Sequence, residues 1–457
     1  MKTLLTIIFF NFISAICISQ TTISKQQAIE DIDFYISTLQ DVHYNPFLFK
    51  DEETFMAEAE VIKLGLSDPI TKSSLILSLH QLSALMKDSH SAPSMFQEGI
   101  FAEEYKKPQF FPIKVFVEDH RLYVPPGGNE KSPIPIGSEI LSINGIKMSN
   151  FLKGIQPYTA GIEAYSEEMT GRLLSHYLFL SGVKAPFAIE YVASPGIKDL
   201  KMLEEGIPYV NALVLSMPAL VKGNSFDILE HNVGYIDFAN MNQSPNDAIE
   251  FMETAFKAFK ERNVQYLAVD LRNNSGGNSV IGEILFGYIA NKQFFMQGGK
   301  LWKISNQYKE YLLANGRDKE EYLNKENGTI WEINTCNPRD GLLNVDDKFT
   351  GKVYMLTGPF TFSSGNMVAD TAKQFNIAEI VGEPTGELTT DFGEVYSFSL
   401  PHSGILMNST TSFDIGANCD SESLSSVMPD FYLPVSLEDK LAGKDRVLEY
   451  IIEKAKQ

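Results

Sequence analysis

The 457-residue chain has only three cysteines, and no Cys/His pair stands at zinc-ligand spacing. A structural metal is therefore not expected. Positive charge is also scarce: 38 Lys and Arg against 58 Asp and Glu give a net charge of −20. Nucleic-acid binders normally carry a basic patch or stripe, so this balance argues against a nucleic-acid partner. Like-charge blocks, low-complexity tracts and fixed-period repeats are missing. Beyond the N-terminus no apolar run is long enough to span a bilayer. What remains is ordinary globular sequence, 44% hydrophobic and 21% charged, long enough for two or three domains.

The exception is the start, "MKTLLTIIFFNFISAICISQ". Lys2 gives a charged head, and Leu4 to Ile18 an apolar run shorter than the roughly 20 residues of a membrane helix. A buried first helix has the same pattern. The extreme N-terminal position and the polar residues that follow favour a secretory signal, residues 1–19, removed near Ser19–Gln20. The mature chain is then expected to be exported, periplasmic or extracellular, without a stable membrane span. Its charge becomes −20 − 1 = −21 once Lys2 is lost. Cys336 and Cys419 remain; export permits a disulfide, but nothing in the sequence places the two together.

Residues 20–100 read as a helical region. In "KQQAIEDIDFYISTLQDVH", Ile29, Ile32, Ile36, Leu39 and Val42 form one apolar stripe, and Thr71 is placed to cap a helix carrying Leu75, Leu79, Leu82 and Met86. Residues 101–205 change to strands and turns, with Asn144–Gly145 as a tight turn. From 206 to 457 strands alternate with helices: "VGYIDFANM", the amphipathic "DAIEFMETAFKAFKERN", "YLAVDLRNN", "KVYMLTG" and "GNMVADTAKQF". Such alternation predicts a parallel sheet with right-handed crossovers. "GEVYSFSLPHSGILMNSTTSFD" reads as a hairpin, and "DRVLEYIIEKAK" as the last helix.

Three segments have the residue types for chemistry. "VDLRNNSGG" runs from a strand into two glycines, a loop that can aim amide N–H groups at an anion or an oxyanion. An ordinary strand-to-helix turn has the same letters. "TGPFTFSSGNMVAD" sets Ser363 and Ser364 between a strand and a helix, where a serine is either an exposed nucleophile or an N-cap. "KDSHS" puts His90 after a helix, where it is either a base for a serine or a surface histidine at a helix end.

Taken together and in this order, these segments resemble the C-terminal-processing (tail-specific) serine peptidases, in the branch of the tricorn core and the retinoid-binding-protein-like domains. "DLRNNSGG", "TFSSGN", "VGEPTG", "DSH" and "VMPDFYLPVS" carry the likeness, and "IGSEILSING" resembles the inserted PDZ-like domain. The resemblance implies an α/β multi-domain protein: a helical region, a PDZ-like β-rich domain and an α/β crotonase/Clp-like peptidase core. It assigns Ser363 as nucleophile, His90 as general base and Ser89 as a support for the histidine. The amides of Ser364 and of Gly276 or Gly277 become the oxyanion hole. Members with a Ser–Lys dyad carry lysine where Glu387 and Leu388 stand here, and no lysine occurs between Lys373 and Lys440. The position of the family's supporting glutamate is Ser423 here, so the resemblance leaves Glu422, one residue away, and then Asp420 as the candidates for that role. No Gly-Leu-Gly-Phe-like loop precedes the PDZ-like segment. The expected function is an exported serine peptidase acting on peptides or proteins without a cofactor. A non-catalytic binding protein on the same scaffold and an esterase-type serine hydrolase are the alternatives. Oligomeric state is not legible.

Overall fold

The computed structural model describes residues 22–456 apart from 130, 194–195, 219–221, 344 and 347. The expected signal segment lies outside the described residues. The chain is a mixed α/β protein. Its first helices are Lys25–Val42, Glu52–Gly65 and Lys72–Ala84, and the Thr71 hydroxyl accepts the Ser74 N–H, the predicted cap. A mostly antiparallel sheet follows, in spatial order Phe116–Glu118, Arg121–Tyr123, Glu139–Ile143, Phe187–Ala193 and Ile197–Leu203. Asn144 (φ 51°) and Gly145 (φ 77°) are both left-handed, the conformation a two-residue hairpin turn requires.

The second half is built on a six-stranded sheet. Val233–Asp237, Tyr266–Asp270, Lys352–Thr357, Glu379–Gly382 and Phe431–Tyr432 run parallel, and Ser225–Ile228 closes the other edge antiparallel. Central strands bury both faces, which is why "YLAVD" and "VYMLT" are near-continuous apolar runs. A separate antiparallel sheet has the order Ile330–Asn334, Gly299–Lys303, Leu406–Ile415, Asp391–Ser399. The expected hairpin is its last two strands. The first two strands went unread in the sequence, because their partners are set by long-range pairing rather than by a short turn. A disulfide joins Cys336 to Cys419.

The two halves meet through one apolar cluster. It holds Leu79 and Leu82 of the helices and Phe110, Ile140 and Phe187 of the first sheet region, and it also takes in Phe360, Phe362, Phe398 and Met407. Phe362 immediately precedes Ser363. Among the described residues no helix is long and apolar enough to cross a membrane.

Candidate active site

The parallel sheet places its functional loops at the C-terminal ends of Tyr266–Asp270 and Lys352–Thr357, the usual location of sites in such folds. Asn274 ties these loops together. Its carbonyl accepts the Phe362 N–H (3.0 Å), its Oδ1 accepts the Gly276 N–H (2.8 Å), and its Nδ2 donates to the Phe238 carbonyl (2.5 Å). Thr361 adds a second tie, its hydroxyl donating to the Leu271 carbonyl at 2.9 Å. The Ser364 hydroxyl donates to the Gly277 carbonyl at 2.7 Å.

These constraints separate the two serines. Ser363 stands just before the helix Ser364–Gln374, yet its side chain caps nothing. Its backbone is held at φ 52°, ψ −129°, a strained conformation for a residue with a Cβ and one found where a turn must present a side chain. A Cβ on Gly276 would lie 2.6 Å from the Ser363 Cβ and 3.0 Å from its Oγ, so only glycine allows the approach. No acceptor for the N–H of Ser364 or of Gly277 is found among the described residues. The Gly276 N–H is committed to Asn274, so of the two loop glycines it is Gly277 that offers a free donor.

His90 reaches the same cleft from the other half of the molecule. Residues 91–94 are zipped to the strand Leu406–Ile415: Ser94 N–H donates to Leu406 O (2.9 Å), Asn408 N–H to Ala92 O (3.0 Å) and Thr410 N–H to Ser91 Oγ (2.9 Å). His90 and Ser363 line one cleft of about 300 Å³, with Gly277, Ser364, Asn366 and Glu387 on its wall. A larger cavity of about 480 Å³, around Phe256 and Phe349, contains none of these residues.

Two carboxylates flank the imidazole, and neither is the expected one. Asp88 is buried and accepts the His90 N–H (2.8 Å), His43 Nε2 (3.1 Å), Thr410 Oγ1 (2.7 Å) and the Ser91 hydroxyl. Its Oδ1 lies 3.7 Å from His90 Nδ1. Glu387 Oε1 lies 3.6 Å from the same nitrogen, and its Oε2 accepts the Ser363 N–H at 2.5 Å. Burial disfavours the imidazolium, but the Asp88 bond and the Glu387, Asp88 and Asp391 charges outweigh it and raise His90 to about 9. Burial raises Glu387 to about 7 against the pull of His90 and of the Ser363 N–H. For Asp88 burial is overcome by His43 and His90, which hold the carboxyl well below its ordinary value.

Two expectations need correction. Glu422 is exposed, does not line the cleft, and its side chain has no partner among the described residues. Its N–H donates to Asp420 Oδ1, so the local turn of "CDSES" turns it outward. Ser89 does not support the histidine: its hydroxyl donates to the Ala160 carbonyl at 3.3 Å and packs beneath Gly161. Sequence reasoning missed Asp88 and Glu387 as contacts of His90. Asp88 was visible as the first letter of "DSH", and Glu387 as the residue in place of a lysine, but neither role can be read without the fold.

A half-buried strained serine on the cleft wall, free amide donors beside it and a histidine across the cleft, on an α/β core, define a serine-hydrolase class of site. Residues 232–395 match the model of peptidase family S41, and this region is a family S41 serine-type peptidase core. Among solved structures, mature CPAF is similar over 94% of this chain and 97% of its own, at 15% identity and TM-score 0.62. Mature CPAF complexed with lactacystin aligns over 94% and 98%, at 15% identity and TM-score 0.63. Likeness at such identity establishes the fold alone. No curated protein matches the chain.

Proposed function

We propose that the chain hydrolyses peptide bonds with Ser363 as nucleophile and His90 as general base. Ser363 Oγ attacks the carbonyl while His90 takes its proton, then returns it to the leaving amine. The N–H groups of Ser364 and Gly277 receive the oxyanion, a contribution of roughly 3–4 kcal/mol for a donor of this kind. Glu387 and Asp88 hold the imidazole and favour its charged form as the tetrahedral intermediate develops. The observation that carries the reading is the backbone of Ser363: strained, uncapped, pressed against Gly276, and open to the cleft that holds His90.

The expected substrate is a peptide or protein segment in extended form. The strand Asp391–Ser399 is the edge of its sheet, and Phe392 to Val395 line the cleft, so a peptide can add there as a further strand. The antiparallel region around residues 116–203, read as PDZ-like, puts no residue on the cleft wall and acts on the site through the nucleophile loop. Its helix Glu163–Arg172 braces the nucleophile loop: Tyr165 stacks on Phe362 (4.5 Å) and Arg172 on Phe360 (3.9 Å). Export remains part of the proposal, and a Cys336–Cys419 disulfide fits an oxidising compartment.

A serine-directed fluorophosphonate probe tests the assignment. It should label the wild type and Ser364→Ala but not Ser363→Ala. Labelling that survives Ser363→Ala would leave the scaffold as a binding protein with another reactive serine. A matched panel of peptide and ester substrates separates peptidase from esterase.

A further inference from the structure

The cleft carries more carboxyl groups than its mechanism uses. Glu387, Asp391, Glu394 and Asp414 all line it, against Lys300 and His90. Lys300 is already engaged, 2.7 Å from Glu394 and 3.7 Å from Asp414. Asp391 and Asp414 are directly opposite each other on antiparallel strands. Directly opposed residues share a face with Cβ atoms about 4.5–5.5 Å apart, and like charges there are destabilising. The fold keeps the pair nonetheless. Gly393 lies two residues along on the same face, and a Cβ there would come within 2.4 Å of Asp414 Oδ2, so residue 393 puts no side chain over that oxygen, while Oδ1 accepts the Ser412 hydroxyl at 2.8 Å. Asp391 is partly satisfied by the N–H groups of Phe392 (2.7 Å) and Leu388 (3.3 Å), both neutral donors.

A second observation in the same cleft also asks for a donor. Asn366 is 3% exposed and its Nδ2 donates to the Leu388 carbonyl at 2.8 Å. Its Oδ1 is buried and has no donor among the described residues. An unmet buried acceptor is costly unless something binds it. An ammonium or guanidinium would supply both the positive charge and the N–H donor that these groups lack. The chain's net charge of −20 would draw such a substrate in.

We infer that the cleft beside Ser363 selects peptides with a cationic group next to the cleaved bond, bound between Asp391 and Asp414. The inference rests on the peptidase reading. The cation is an ammonium or guanidinium, from a Lys or Arg side chain or from a free N-terminus. The test uses fluorogenic peptides of one sequence that differ at single positions: Lys against Nε-acetyl-lysine, Arg against citrulline, free against acetylated N-terminus. The expected result is kcat/KM higher for a cationic member by roughly tenfold, equivalent to about 1.4 kcal/mol. That ratio should collapse toward one in Asp414→Asn and in Asp391→Asn, with melting temperature confirming that each variant folds. Which pair shows the preference identifies side chain or terminus. Equal rates for every charged and neutral pair, or a preference that survives both substitutions, would overturn it.

Binding separates this failure from failure of the peptidase reading. Fluorescence anisotropy of labelled lysine and acetyl-lysine peptides on Ser363→Ala reads charge selection without turnover. Charge-selective binding with no cleavage by wild type would keep the cationic site and sink the peptidase. Cleavage blind to charge would do the reverse.

Discussion

The two halves of the molecule contribute to one cleft in opposite ways. The C-terminal α/β half supplies Ser363, Ser364 and Gly277 from loops whose letters are continuous in the sequence. The N-terminal half supplies His90 and Asp88 from a segment that acquires meaning only when it pairs with Leu406–Ile415. A parallel sheet presents its loops at one edge by topology, so local motifs suffice there. The N-terminal segment is placed by docking, and Asp31 shows how tightly: buried, it accepts the N–H groups of His402 and Ser403 at 2.8 Å each.

That contrast can be broken most sharply at Asp88. Asp88→Asn keeps the shape but removes the charge shared by His43 and His90. Loss of a histidine-orienting carboxylate in serine hydrolases costs up to roughly 10⁴-fold, and a fall in kcat of about 10²–10⁴ is expected with KM little changed. An unaltered kcat would reduce Asp88 to a folding role. On the other side of the cleft, Gly276→Ala puts a Cβ 2.8 Å from the Ser364 nitrogen as well as against Ser363. Displacing the nucleophile turn should lower kcat/KM by about 10²-fold, comparable to losing one oxyanion donor. Wild-type rates in this variant would mean that the turn relaxes freely.

A smaller effect separates charge from position. General-base catalysis needs neutral imidazole, and His90 is held charged up to about 9, so kcat/KM should rise with pH through neutrality toward that value. Glu387→Gln removes one carboxylate that favours the imidazolium, and the acid limb should move down toward the ordinary value of 6.5. A limb that stays in place would show that Asp88 alone sets the charge.

The last expectation concerns stability. In the N-terminal half, burial depresses His80 to about 4; burial, with His80 nearby, depresses His176 to about 3. Both stay neutral when folded and protonate once unfolded, so their stabilisation is present above pH 6.5 and is lost between 6.5 and 3–4. At pH 5 each should cost about 2 kcal/mol. In the cleft the sign reverses: burial raises Glu387, Asp391 and Asp414, so acid relieves that side. Hydrogen exchange at pH 7.5 and 5 should therefore show the N-terminal half loosening first. Equal loosening of both halves would sink this account, and His176→Leu should flatten the difference.

Much of the fold was legible locally. The stripe of Ile32, Ile36 and Leu39, the Thr71 cap, the Asn144–Gly145 turn, the apolar strands and the hairpin after Asp391 each follow from short-range periodicity or turn chemistry. The sheet strands Gly299–Lys303 and Ile330–Asn334 were not, because neither has its partner fixed by a short turn.

By itself the sequence marked the serine and glycine loops, and Gly276 and Gly277 supply the positive φ that their turn requires; the strained backbone of Ser363 is imposed by its ties to the Asn274 loop. The sequence also determined that His90 was available. Only the tertiary structure decided which carboxylates face that histidine, Asp88 and Glu387 rather than Glu422, and that the Ser89 hydroxyl bonds the Ala160 carbonyl instead. The physical reason is distance along the chain. Asp88 and Glu387 are brought together by strand pairing and a shared apolar core, and no periodicity in the sequence records where such separated residues meet.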